Sequence, residues 1–392
     1  MNDNSLWSRI WMIWKREFRN LTSRPLYLFG MVIAPLFTVF FFLTLMGDGL
    51  PTGLPIAVVD LDNSTTSRKL VRQLDAFKQT EVVMRACNFS EARQAMQEGK
   101  VYGIYLIPKD MGKDVMANRQ PKVSFYLNNS YLVAGSLLYR DLKTISVLGS
   151  AAVGREFRKA KGQSERQAMI DLQPIAVDAH LLGNPLANYS VYLCNTILPG
   201  VYNILIMLLT IYAMGSELKK NTSHSLLRIS QGNLFLGLLS KLAPHALIYF
   251  LVITAIDVIL YCYLGYPCKS GLLSMLAASY MLVLASMAMS IFLFGLFPVM
   301  RLSMSCASLI SVVSLSISGF SFPVTEMHYL MKTWSNVFPL RHFFLIYVDQ
   351  ALSGLGFAYT WPSYLALTLF LSLPLFVMPR LKMIYENFKY VP

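Results

Sequence analysis

The sequence predicts an α-helical membrane protein with six transmembrane helices, an N-terminal interfacial helix and an inserted α/β extracytoplasmic domain between helices 1 and 2. Three observations carry this. The 392 residues are 55% apolar and only 14% charged, against about 25% charged in an ordinary soluble domain. Mean hydropathy is +0.48. The charge is also unevenly divided: residues 47–190 hold 18 Lys+Arg and 14 Asp+Glu, whereas the other 248 residues hold 16 and 7. The first segment is charged like a soluble domain and the remainder like membrane protein. The formal net charge of +13 belongs to so apolar a chain that it argues for a membrane surface and against nucleic acid as partner. Five cysteines with no C-x-x-C pair supply neither a disulfide framework nor a zinc site.

Residues 1–25 read as a cytoplasmic interfacial helix. Trp7, Trp11, Trp14 and Phe18 recur on one helical face, and Arg9, Lys15, Arg16 and Arg19 lie largely elsewhere around it. Indoles at headgroup depth beside cations suit a helix lying in the membrane surface. Residues 26–46 carry no charge over 21 positions, enough to cross a bilayer, with Pro35 placed to kink the span. No small-residue cleavage site follows, so the span is read as uncleaved rather than as a signal peptide.

Residues 47–190 alternate strand and helix patterns, which implies an α/β layer. Strands are expected at 55–60, 81–86, 101–107 and 121–127. Asn63 or Ser64 is placed to cap a helix to about Phe77, Ser90 one to about Glu98, and a helical pattern runs from about Tyr131 to Arg166. No clustered His, Cys and carboxylate set, no G-x-S-x-G and no metal-ligand spacing occurs here; the segment's one histidine, His180, reads as a surface residue.

Residues 191–392 offer five further spans, near 191–213, 242–264, 272–297, 302–321 and 361–379. Basic residues of the short segments divide thirteen to three between the two sides, which makes both termini cytoplasmic and leaves 47–190 outside. Asp257 is the one carboxylate within a predicted span, satisfied there by a neighbouring helix or by water. Asn195, Tyr202 and Asn203, and a serine face of Ser305, Ser308, Ser311, Ser314 and Ser318, are read either as helix packing or as the lining of a translocation pathway. Loop 214–232 is polar, short and cytoplasmic, with a helical run at Ser223–Ile229. No G-x-x-x-x-G-K-[ST] stretch is present to cradle ATP phosphates, so an ATP-driven process would need another chain.

Three stretches resemble one family. IAVVDLDNSTTSRKL (56–70), NPLANYSVYLCNTILPGVYNILIMLLT (184–210) and SGFSFPVTEMHYLMKTWSNVFPLRHF (318–343) are similar, in order and position, to permease subunits of type-2 ABC exporters, in the bacterial branch with a large extracytoplasmic domain. The resemblance implies a bacterial inner-membrane permease that moves an amphiphilic or hydrophobic compound outward. It would work as a homodimer or heterodimer with a second permease, beside separate ABC ATPase subunits that use the ATP, with no cofactor bound by this chain and room for a periplasmic adaptor. It also implies that the N-terminal helix, with Arg16 and Arg19, and the 214–232 loop, with Glu217, Lys219, Lys220, Thr222 and Arg228, contact the ATPases. The family's coupling loop often reads Glu-Arg-Glu-x-Gly-Thr; here Glu217 and Thr222 match its ends, while Leu218, Lys219 and Asn221 depart from it. Two other classes stand beside this reading: an envelope sensor or assembly protein with a ligand-binding external domain, and an ion-driven secondary transporter. The first seldom needs six spans. The second would show an internal repeat and several buried charges.

Overall fold

The structure, a computed structural model, describes residues 6–47, 49–117, 119–172, 183–184 and 188–387; His180 lies outside them. It divides into two compact units, 1–47 with 181–392, and 48–180.

The helical unit begins with α1 (Leu6–Ser23). Ile13, Glu17 and Leu21, four residues apart, are its buried line, while Trp7, Trp11 and Phe18 are exposed. α2 (Pro25–Leu28), a π turn (Phe29–Ile33) and α3 (Ala34–Leu45) then run on as one apolar helix. Pro35 stands in the first turn of α3, directly after the widened turn, where its missing N–H is least costly.

The inserted unit holds, among the described residues, a four-stranded sheet in the order β2-β1-β3-β4. β1 (Leu54–Asp60) runs parallel to β2 (Thr80–Arg85) and β3 (Gly103–Ile107), and β4 (Ser124–Leu127) pairs antiparallel with β3. Strand alternation builds two cores. Ile56 and Val58 point to one face, against Leu70 and Leu74 of α4 (Thr65–Asp75) and Leu138 and Leu142 of α7 (Leu132–Ala160). Ala57 and Val59 point to the other, against Ala92 and Ala95 of α5 (Phe89–Gln97). Covering helices on both faces explain why β1 reads as a continuous apolar run.

Caps fix where these helices start. Ser64 accepts from the Ser67 N–H, while Asn63 takes a left-handed φ of 51°. α5 starts earlier than the sequence suggests. Asn88, not Ser90, is its cap, and Glu91 reaches back to the Cys87 N–H; an Asn two residues upstream competes successfully with Ser for the same free N–H groups. The short α6 (Met111–Met116) follows β3. The helical pattern expected to Arg166 is broken after α7 by Gly162 (φ 86°), and the chain turns into α8 (Glu165–Leu172).

The helical unit resumes with α9 (Tyr189–Lys219), α10 (Ser223–Ile229) and α11 (Leu234–Asp257), which runs on through a π turn (Val258–Tyr263). α12 (Leu272–Leu296) and α13 (Met300–Ile317) follow. The short α14 (Tyr329–Ser335) leads to α15 (Pro339–Ile346), which ends in a π turn (Tyr347–Leu352). α16 (Phe357–Phe370) and α17 (Leu373–Asn387) close the chain. Among the described residues six helices are long and apolar enough to cross a membrane: 25–45, 189–219, 234–263, 272–296, 300–317 and 357–387. Three overrun their expected ends, the sixth running from 357 to 387 rather than from 361 to 379. The second continues six residues past 213, and the third starts at 234 rather than 242, because Glu217 and Lys241 are not in water but paired inside the bundle. The fifth stops before 321, where Gly319 takes a φ of 105°.

Candidate functional site

α9, α10 and α1 converge with α11 on a buried ion cluster. Lys241 Nζ lies 2.8 Å from Glu17 Oε1 and 2.7 Å from Glu217 Oε1. Arg16 Nη2 adds contacts of 2.9 Å to Glu217 Oε1 and 3.3 Å to Glu17 Oε1. Asn20 Nδ2 donates to Glu17 Oε1 at 3.1 Å. The side chains of Lys241 and Glu17 are each 1% exposed, that of Glu217 4% and that of Arg16 16%. Two cations balance two carboxylates, so the cluster is neutral as a whole and intolerant of losing any one member. Removing one partner of a buried pair leaves an uncompensated charge, whereas the intact pair adds little net stability. Such an arrangement specifies which elements dock together more than it strengthens the fold.

The loop is tied into this cluster. Thr222 donates its hydroxyl to Glu217 Oε2 at 2.6 Å. Its residue stands at the start of α10, where a side-chain cap would otherwise form, and makes none. Asn221 takes a left-handed φ of 54°, a conformation Asn adopts more readily than most side-chain residues; its departure from Gly therefore leaves the turn intact. Through the Thr222 bond the start of α10 is linked to Glu217, which is itself paired with Lys241 of α11 and Arg16 of α1.

The sequence-predicted residues separate into two groups here. Arg16, Glu217 and Thr222 come together. Arg19, Lys219, Lys220 and Arg228 are exposed and lie outside the ion pairs. The cluster also contains two residues the sequence reading did not single out, Glu17 and Lys241. Glu17 is the one acid of α1, and it sits on that helix's buried line between Ile13 and Leu21; the spacing was legible even though the partner was not.

Asn195, Tyr202, Asn203, Ser311, Ser314 and Ser318 are enclosed and bonded within the chain. Asn195 accepts from the Tyr261 hydroxyl (2.7 Å), Tyr202 donates to the Tyr249 carbonyl (2.8 Å) and Asn203 accepts from Ser286 (2.6 Å). Ser311 donates to Met207 Sδ (3.1 Å), and Ser314 and Ser318 donate to carbonyls of their own helix. Asp257, buried, accepts from Ser279 of α12 at 2.8 Å. The buried face of α13 is Ser303, Ala307, Ser311, Ser314 and Ser318, and Ser305 is exposed. Three successive steps of three drift around a helix of 3.6 residues per turn, which carries Ser305 off the line. Among the described residues no three His, Cys, Asp or Glu side chains are grouped to hold a metal ion.

Comparison with known families gives one match: the model described as ABC-2 family transporter protein covers residues 25–377. Comparisons with curated proteins and with solved structures give no match. The matched stretch opens on the first apolar helix and ends inside the sixth, so the chain belongs to the ABC-2 transporter family, as a permease subunit embedded in the membrane by several spans.

Proposed function

We propose that this permease is the membrane part of an ATP-driven exporter that moves an amphiphilic or hydrophobic compound outward across a bacterial inner membrane. Family membership implies partnership with ABC ATPase subunits. In this reading the ATPases act from the cytoplasm, both termini are cytoplasmic, the 48–180 unit is external, and two permeases work as a homodimer or heterodimer. The observation that carries the coupling assignment is the Thr222–Glu217–Lys241–Glu17 chain of contacts, which ties α10 to the ends of two spans and to the N-terminal helix. A push on α10 is transmitted because the charges must move together or part together. Lys219, Lys220, Arg228 and Arg19, exposed around this cluster, offer cations to the ATPase surface. Asn195, Tyr202 and Asn203 of α9 and Ser311, Ser314 and Ser318 of α13 line the seam that opens for the transported compound; their hydroxyls and amides exchange partners as the helices separate.

The test is ATP hydrolysis by the permease reconstituted with its ATPase in lipid. Thr222→Val removes one hydroxyl and keeps the shape of the side chain. It is expected to leave complex formation intact while lowering permease-dependent hydrolysis several-fold. If hydrolysis and its response to transported compound are unchanged in Thr222→Val and in Glu217→Gln, the coupling assignment is wrong.

A further inference from the structure

The sheet of the inserted unit changes its winding direction between β1 and β3. From β1 the chain crosses through α4 to β2 on one side; from β2 it crosses through α5 to β3 on the other side of β1. α4 packs on one face of the sheet and α5 on the other. The loops leaving the carboxyl ends of β1 and β3 therefore diverge, and an open α/β sheet binds its ligands in the crevice formed at such a point. The Leu61 N–H donates to the Ile107 carbonyl at 3.2 Å, which joins the two loops where they begin. Between them lies a cleft of about 670 Å³, lined by Asp62 and Ser64 from the first loop and by Asp110, Gly112, Lys113 and Ala117 from the second loop and α6. Small-molecule sites ordinarily measure about 300–1,000 Å³.

The polar groups of this cleft select its occupant. Asp62 Oδ1 accepts from the Gly112 N–H at 3.3 Å, while Asp62 Oδ2 is enclosed and has no hydrogen-bond partner among the described residues. Ser64 Oγ, which accepts from the Ser67 N–H at 3.0 Å, lies close by. A Cβ on Gly112 would stand 3.6 Å from Ser64 Oγ and 3.7 Å from Asp62 Oδ2, so one position beside the glycine addresses both oxygens. Asp110 and Lys113 form the rim, 43% and 82% exposed and paired at 2.7 Å. Two carboxylates thus meet one cation, in a segment where Lys and Arg outnumber Asp and Glu 18 to 14. A phosphate, the common occupant of such crevices, is opposed: Asp62 brings negative charge and already takes the Gly112 N–H. A calcium ion needs about 6–8 oxygens, and the carboxylate of Asp60, at the end of β1, is spent on the Asp62 and Asn63 N–H groups and the Ser67 hydroxyl. An ammonium group, with positive charge and three donors, fits the groups that remain.

We propose that this cleft binds a small molecule through a protonated primary amine, which donates to Asp62 and Ser64 and takes the place of the Lys113 ammonium at Asp110. Lys113 is then a competitor built into the site. Its long side chain holds Asp110 from the rim and leaves as the amine enters. The cleft lies wholly within the sheet unit, so its occupancy is separable from any coupling of the helical unit to an ATPase.

Calorimetric titration of 1,4-diaminobutane at pH 7 into the full chain in phosphatidylcholine nanodiscs tests this. Both amines are protonated at that pH, and empty nanodiscs supply the blank. Saturable binding is expected, with none for 1,4-butanediol, which has the same length and no charge. Asp62→Asn keeps the side chain's shape and an acceptor for the Gly112 N–H, and is expected to weaken binding about tenfold or more. Lys113→Gln removes the competitor from an exposed rim, and is expected to tighten binding several-fold; its result decides even where Asp62→Asn lowers the folded fraction. No saturable binding, equal binding by wild type and a folded Asp62→Asn, or an unchanged or weaker affinity in Lys113→Gln overturns the proposal. Saturation by 1,4-butanediol, calcium or inorganic phosphate in place of the diamine overturns it equally, and assigns the cleft a polyol, a metal ion or an anion.

Discussion

Lys241 is the residue whose replacement tests the ion cluster most directly. Lys241→Met keeps an unbranched side chain of similar reach but leaves Glu17 and Glu217 sharing only Arg16. A loss of about 3–5 kcal/mol is expected for breaking a buried pair in this way, read as a lower Tm and a smaller folded fraction in detergent. Combining it with Glu17→Gln removes one charge of each sign and is expected to recover most of that loss; additive losses would show that the two side chains do not interact. Thr222→Val is milder, about 1.5–3 kcal/mol for a hydrogen bond to a charged group. Half of this cluster was legible in the sequence. Glu217 and Thr222 stood out through the family resemblance, and Arg16 through its place on the N-terminal helix. A span expected to begin near 242 leaves Lys241 outside it, since a cation next to an apolar run is ordinarily solvated. What makes it a helical, enclosed residue is Glu17, 224 positions away, and nothing local in the sequence links the two.

At the scale of elements, α9 is the helix against which α12 and α13 pack, and its glycines set how closely. A Cβ on Gly200 would come 2.5 Å from Leu315 Cδ2, and one on Gly215 2.7 Å from Met300 Cγ. Gly200→Ala is therefore expected to cost about 1–3 kcal/mol by overpacking, with the partner change Leu315→Ala relieving it; thermal stability of the two single variants and the double variant gives the coupling directly. The spans themselves were readable because apolar length is a strong and local signal. Their ends were less so, because charge was taken to mean water. In the inserted unit the four strands were each found within a few residues, since alternation over a two-faced core marks them. The cap of α5 was displaced from Ser90 to Asn88 because two good capping residues stand three positions or fewer from the same helix start, and hydrogen-bond geometry rather than composition decides between them.

The whole molecule combines a unit built around an ordinary two-faced sheet with a unit of apolar helices, and the two are expected to respond separately to perturbation. Urea should unfold the sheet unit, followed by exchange of the β1 and β3 amides, at concentrations that leave the lipid-embedded helices protected. The orientation can be checked with the native thiols. Cys87 is exposed in the sheet unit. With the other four cysteines replaced by Ser, a membrane-impermeant maleimide applied to spheroplasts is expected to label Cys87. It should leave a Lys219→Cys thiol unlabelled in a Cys87→Ser background. The reverse pattern would invert the proposed topology.

The distance in sequence between Glu17 and Lys241 also sets a schedule. At about 5–20 residues per second, a ribosome takes about 10–45 s to make Lys241 after it has made Glu17. Through that interval α1 holds a carboxylate whose partner does not yet exist. A chain truncated before residue 241 retains Glu17 and Glu217 with a single shared cation.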